Sequence, residues 1–156
     1  MDKTLVAYAS KSGATEQTAQ TIAEVLKDEY GLEVDLVNLR KEYPSLEQYR
    51  NIVIGAGVRA RRVYSEARKF LKQDFGDRKV AFFVCCGGAG VPKSYEDSCT
   101  QYLTKVLANY PNIKPVAKEA FGGRMKIFGK TIFDNVDSTK IRAWANDLGN
   151  KLAKRM

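Results

Sequence analysis

Between Thr4 and Thr15 the chain reads TLVAYASKSGAT, an apolar run that gives way without transition to a loop of small, hydroxyl-bearing residues. Leu5, Val6, Ala7, Tyr8 and Ala9 are enough for one strand, and their unbroken apolar character suits a strand covered on both faces. Ser10, Lys11, Ser12, Gly13, Ala14 and Thr15 follow at once. They supply hydroxyls, a cation, a glycine free to take positive φ, and backbone N–H groups at the start of a helix predicted from about Thr15. A helix N-terminus carries unpaired donors and partial positive charge, so this loop is suited to a phosphate. The same residue types also serve as ordinary turn and N-cap chemistry. The spacing matches neither G-x-x-x-x-G-K-S/T nor G-x-G-x-x-G, which removes the nucleoside triphosphatase and dinucleotide Rossmann readings.

The remaining periodicity alternates between strand and helix. Thr18, Ile22, Val25 and Leu26 recur at helical spacing, and the helix is expected to stop at Tyr30-Gly31. Residues 33–39 predict a second strand with Val34, Leu36 and Val37 inside, and Pro44 breaks the polar link that follows. Residues 51–56 (NIVIGA) predict a third strand, 64–75 a helix with Ala67, Phe70 and Leu71 inward, and 79–86 (KVAFFVCC) a fourth strand. A helix is predicted over 95–110 with Cys99, Leu103, Val106 and Leu107 inward, a weaker fifth strand over 115–121, and a last helix over 138–154 carrying Ile141, Trp144, Ala145, Leu148 and Leu152 as its buried stripe. Such alternation implies a parallel sheet with helices on both faces and right-handed crossovers. Ligands of these sheets bind beyond the carboxyl ends of the strands, where strand order reverses. The exits of the first, third and fourth strands, at residues 10–15, 57–62 and 86–95, all carry small residues that let backbone approach a ligand.

Composition excludes more than it selects. The 156 residues fit one domain, and the N-terminal apolar run is too short for a signal peptide or a membrane span, giving the expectation of a cytoplasmic protein. Without any histidine, Ser-His-Asp, Cys-His and histidine-metal sites are ruled out. Cys85, Cys86 and Cys99 have no C-x-x-C spacing and imply neither a disulfide framework nor a zinc ribbon. No carboxylate pair has a spacing that argues for acid–base catalysis, so no catalytic residue and no metal ligand is expected.

Taken together, these features resemble the flavodoxin family, whose first loop has the form S/T-x-S/T-G-x-T and holds the phosphate of flavin mononucleotide (FMN). Residues 10–15 match that form position by position, and the likeness runs over essentially the whole chain. It implies a flavodoxin-like three-layer α/β/α sandwich spanning residues 1–156, with a five-stranded parallel sheet of order 2-1-3-4-5 and FMN at the switch point. It assigns the phosphate to Ser10, Lys11, Ser12, Gly13, Ala14 and Thr15. The flavin ring falls to Gly57, Val58, Arg59 and Ala60 after the third strand and to Cys85, Cys86, Gly87, Gly88, Ala89 and Gly90 after the fourth. Tyr95 stands either as a stacking aromatic or as a helix-start residue. Two departures matter. No tryptophan follows the third strand, so an Arg59 plane or a Val58 contact would replace it; and the fourth-strand loop lacks the family's aspartate. The segments Gly55-Ala56-Gly57-Val58-Arg59 and Phe121-Gly122-Gly123-Arg124 are similar to a flavodoxin-like branch that includes menaquinone-dependent protoporphyrinogen oxidase. Ile127, Phe128, Ile132 and Phe133, in the long link before the last helix, are expected to cover the sheet edge rather than close over a substrate.

The resemblance implies a low-potential electron carrier using non-covalent FMN, with an FMN-dependent oxidoreductase of the protoporphyrinogen oxidase or quinone reductase type as the alternative. The net charge of +8 modifies that expectation. Arg59, Arg61, Arg62, Arg68, Lys69 and Lys72 follow the third strand with only Glu66 among them, and Lys93, Lys118, Arg124, Lys126 and Lys130 lie toward the other edge loops. Positive charge there favours the more negative, reduced flavin and steers acidic redox proteins such as ferredoxins or reductase domains. Nucleic acid is not expected, because the cations interleave with no aromatic platform. A membrane surface is a less favoured partner. Cys85 and Cys86 are read as a strand end and a loop residue in preference to a reactive thiol.

Overall fold

The apolar runs form one sheet because each can be covered on two sides. The computed structural model describes residues 3–11 and 13–153. Its elements are β1 (Lys3–Ala9), α1 (Ala14–Tyr30), β2 (Val34–Asn38), β3 (Tyr49–Arg59), β4 (Arg62–Val63), α2 (Ser65–Leu71), β5 (Lys79–Cys85), α3 (Tyr95–Cys99), α4 (Lys105–Leu107), β6 (Ala117–Phe121), β7 (Arg124–Ile127), β8 (Lys130–Asp134) and α5 (Ser138–Ala153). The main sheet has the order β2-β1-β3-β5-β6, with all four pairings parallel. With the two-residue β4 set aside, this is the expected 2-1-3-4-5 arrangement.

Side-chain alternation splits the core into two layers. On β5, Val80, Phe82 and Val84 join Phe70, Leu71 and Leu103 on the face covered by α2 and the segment after α3. Ala81, Phe83 and Cys85 join Ile22, Leu26, Ile141 and Leu148 on the face covered by α1 and α5. Phe83 lies flat against Gly55, where a Cβ would stand 2.0 Å from the ring. Its edge meets Phe121 and Trp144 at centroid distances of 5.9 and 6.1 Å. Gly31 closes α1 in the left-handed conformation at φ 62°, as its position predicted.

Four expectations need correction. Leu36 is 37% exposed, because β2 is an edge strand and only Val34 and Val37 reach the two cores. The predicted helix over 95–110 is divided by a π-helical turn at Thr100–Thr104 between α3 and α4. β3 does not end at Gly57; it continues to Arg59 and folds back on β4 through Ala60 and Arg61, both at positive φ. Finally, Ile127, Phe128 and Ile132 do not cover the sheet edge. They project into solvent on a separate β7–β8 hairpin, and only Phe133 is half-buried.

Candidate functional site

The exits of β1, β3 and β5 meet at the carboxyl edge of the sheet around a cleft of about 870 Å³. Ser10, Lys11, Val58, Arg59, Ala60, Cys85, Cys86, Gly87 and Gly88 all line it, as the switch-point argument requires. Gly13, Ala14 and Thr15, at the start of α1, and Gly57, on β3, are not among the residues lining it. Ser12 lies outside the described residues. Ala89, Gly90 and Tyr95 face a neighbouring hollow of about 460 Å³ instead.

Tyr95 is therefore not brought to the cleft. Its hydroxyl donates to Glu119, Lys140 Nζ stands 4.2 Å from its ring centroid, and Glu119 also accepts from the Ala120 N–H at 2.8 Å. Burial, reinforced by the hydrogen bond to Glu119, raises the phenol well above its ordinary range. The aromatic rings that do line the cleft are Tyr64, Tyr102 and Phe133. Sequence reasoning missed Tyr102 because the π turn rotates it away from simple helical spacing.

Behind the first loop, Thr15 is fully buried, and among the described residues its Oγ1 has no hydrogen-bond partner. Thr18 Oγ1, one turn on, donates to Ala14 O at 2.9 Å, and the Cys85 thiol donates to that same Thr18 oxygen at 3.5 Å. A buried hydroxyl left without a partner costs about 1–3 kcal/mol, so its position in front of a helix N-terminus suits an acceptor from outside the chain. Gly57 makes room for this arrangement: a Cβ there would stand 2.7 Å from Ser10 Oγ and 3.1 Å from Thr15 Oγ1.

The far wall is the β7–β8 hairpin, fastened at its base by Asn135, Phe133 and Arg124. Asn135 Nδ2 donates to Gly87 O at 2.9 Å, its Oδ1 accepts from the Gly123 N–H at 2.9 Å, and its own N–H donates to Gly123 O at 3.0 Å. The ring of Phe133 rests on Gly87, where a Cβ would stand 2.6 Å from it. Arg124 spans from the hairpin to α1, donating to Asp134 Oδ2 at 2.9 Å and to Gln17 Oε1. Its guanidinium comes within 3.7 Å of the place a Gly13 Cβ would occupy, over the first turn of α1. The hydrogen bond from Arg124 holds the Asp134 carboxyl below the usual carboxylate range. Met125, Lys126, Gly123 and Arg124 complete this wall. The only sequence signal for it was a Phe-Gly pair between two short alternating runs.

The cleft is cationic throughout. Lys11, Arg59, Arg61, Arg124 and Lys126 line it, with no Asp or Glu among the lining residues. Its cysteines are shifted away from the nucleophilic thiolate form. Complete burial pushes the Cys85 thiol up to about 12, and burial raises Cys86 as well, so both stay protonated near neutrality. Among the described residues no cluster of side chains is arranged to hold a metal ion.

These residues fit a flavin mononucleotide on the chain's own evidence. The partnerless Thr15 hydroxyl and the α1 N-terminus suit a phosphate, and the glycine-rich exits after β3 and β5 leave a ring-sized space beside it. A parallel sheet of this order with such an edge defines a flavodoxin-like α/β protein. The chain belongs to the flavodoxin domain family, whose model matches residues 5–143. It is 30% identical over 111 residues to protoporphyrinogen IX dehydrogenase (quinone) of Escherichia coli strain K12, a match covering 69% of this chain and 61% of that protein. It thus spans less than two thirds of that relative's length. Among solved structures, oxidised Flavodoxin 2 from Bacillus cereus has a TM-score of 0.58 at 20% identity, covering 97% of each chain. Rubredoxin oxygen:oxidoreductase from Desulfovibrio gigas has a TM-score of 0.63 at 15% identity, covering 97% of this chain and 36% of that one. At these identities the likeness is one of fold. Flavodoxins are flavoproteins, and the family places this chain among them.

Proposed function

We propose that this protein holds FMN in the cleft and works as an oxidoreductase, exchanging electrons between that flavin and a small substrate bearing acidic groups. The observation that carries the reading is the cleft's far wall: the β7–β8 hairpin borders the space, and the lining holds five cations and no carboxylate. A protein that only shuttles electrons needs an open flavin edge and no such wall. When bound, the flavin supplies the electron-accepting ring system. The chain's own groups then have separable tasks. Thr15 and the first amides of α1 hold the phosphate; backbone at residues 57–60 and 86–88 flanks the ring; Arg59, Arg61 and Lys126 orient acidic substituents of the substrate. Arg124, fixed by Asp134 and Gln17, keeps positive charge beside the α1 terminus. The name of the Escherichia coli relative pairs a porphyrinogen with a quinone, and that substrate class is the one we propose to test.

The same cations favour a second reading, a carrier docking acidic redox proteins, whose association would weaken with ionic strength. Two measurements separate the readings. Purified protein should be yellow with an FMN spectrum. The loaded protein should then oxidise a porphyrinogen anaerobically with a quinone as acceptor, and Arg61→Ala should raise KM with little change in kcat. A yellow protein that shows no turnover, yet exchanges electrons with a ferredoxin or reductase domain at a rate that falls with salt, is the carrier. A colourless protein that stays empty when titrated with FMN overturns both.

A further inference from the structure

The β7–β8 hairpin is rigid at its base and apolar at its end. The base is fastened by Asn135, Phe133 and Arg124, as described above. Beyond it, Met125, Ile127 and Ile132 are 46%, 47% and 55% exposed, and Phe128 is 103% exposed, as open to water as a side chain can be. These residues account for most of the large apolar side chains that the described residues leave in solvent. The two-residue turn is formed by Phe128 at φ 50° and Gly129 at φ 79°. For a bulky residue the left-handed conformation is a strained outlier. Phe128 thus contributes neither to a core nor to the ease of the turn. Ile132 is the extra residue of a β-bulge, since Met125 pairs with Phe133 and Lys126 with Thr131.

The charge around this tip is of one sign. Lys126 and Lys130 are exposed and flank the apolar tip: Lys126 precedes Ile127, and Lys130 pairs with Ile127 across the hairpin. Arg59, at the end of β3, and Arg61, in a second two-residue turn in the left-handed region, line the same cleft. An apolar point with a cationic collar suits an anionic lipid surface: the point enters the boundary between headgroups and acyl chains while the lysines stay at headgroup level. A folded protein partner would need a flat patch to bury, and these side chains are spread around a narrow tip instead. Among the described residues no helix is long and apolar enough to cross a membrane, so the contact would be peripheral.

We propose that the β7–β8 hairpin is a membrane-docking wedge for anionic bilayers. Insertion of Ile127 and Phe128 sets the cleft mouth, whose wall includes Met125 and Lys126, against the lipid surface. The proposal does not depend on what the cleft binds.

The test is sedimentation of the purified full chain with vesicles of phosphatidylglycerol and phosphatidylcholine, or of phosphatidylcholine alone. Binding is expected for the anionic vesicles and much less for the neutral ones. Phe128→Ser should weaken it about tenfold, and Lys130→Gln about fivefold. Phe128→Trp should bind as well as the parent and shift its emission to the blue on anionic vesicles. Because Phe128 packs against nothing, these variants should keep the parent's thermal midpoint. Equal binding by the parent and Phe128→Ser, or no emission shift in Phe128→Trp, overturns the proposal. So does an association between copies of the chain in sedimentation velocity that Phe128→Ser abolishes while vesicle binding is absent.

Discussion

Two polar clusters sit at the same edge of the sheet and are built on opposite principles. Around Tyr95 every polar group has a partner: the phenol donates to Glu119, Glu119 accepts from the Ala120 N–H, and Lys140 donates to Ala120 O at 3.0 Å. Around Thr15, a buried hydroxyl at the end of a helix is left without one among the described residues. Both cost desolvation, but only the first recovers it within the chain. A satisfied network fixes structure, whereas an unsatisfied group at a helix N-terminus is a place reserved for something else. Substitutions in the first cluster should therefore change stability and leave binding alone. Those in the second should do the reverse.

The most severe test of that contrast is Gly57→Ala. The added methyl would press on Ser10 Oγ and Thr15 Oγ1 together, displacing two phosphate donors. FMN affinity should fall on the order of a hundredfold, if each charge-assisted hydrogen bond is worth about 1.5 kcal/mol. Overpacking should remove about 1–3 kcal/mol of stability as well. Titration with FMN and chemical denaturation measure the two effects, and unchanged affinity would dissolve the distinction between the clusters.

Thr15→Val is a smaller change with a sharper signature, because the two readouts move in opposite directions. FMN should bind about tenfold more weakly, while the ligand-free protein becomes more stable by about 1 kcal/mol as an unpaired buried hydroxyl gives way to a methyl. If stability falls instead, the hydroxyl has a partner within the protein. Tyr95→Phe is the mirror experiment. It should cost about 1 kcal/mol through the lost bond to Glu119, and it should leave FMN affinity and the flavin spectrum as they were. A loss of affinity would return Tyr95 to the binding site.

The contrast also explains what could be read from the chain beforehand. Leu5 to Ala9, Val80 to Val84 and the Ile141–Ala145–Leu148 stripe announce their burial through period and composition, whereas the strand order is implied only by the resemblance to flavodoxins. The loop after β1 is legible because its chemistry is local to six consecutive residues. Tyr95 is not, because the group that claims it, Glu119, lies 24 residues away on β6. The two hairpins at the cleft rim are hidden for a different reason. Their turns place Ala60, Arg61 and Phe128 at positive φ, where Asn and Gly are the usual signals. The exposed apolar tip of β7–β8 also reverses the ordinary inference that hydrophobic side chains face a core.

The smallest expected effect lies in the slope of a pH profile and tests the closed style of bonding at another point, the β2 edge. Tyr49 is buried and donates to Asp35 at 2.7 Å; burial first, and the carboxylate second, push its phenol up to about 12 from an ordinary 10.0. A group whose folded pKa is raised keeps its full contribution below the unfolded value and loses it as pH climbs through the folded one. The contribution of Tyr49 should therefore be flat up to about pH 10 and then decline toward about pH 12. The Cys85 thiol, raised by burial to about 12 from 9.0, adds to the same alkaline decline from its lower starting point. Tyr49→Phe should lower stability at neutral pH, where the bond to Asp35 is present, and make the curve shallower above pH 10 because the group that loses its contribution there is gone. Denaturation curves at pH 7 and in steps up to pH 11 measure the loss and the slope, and a Tyr49→Phe curve parallel to the parent's would show that the Asp35 bond does not govern the alkaline limb.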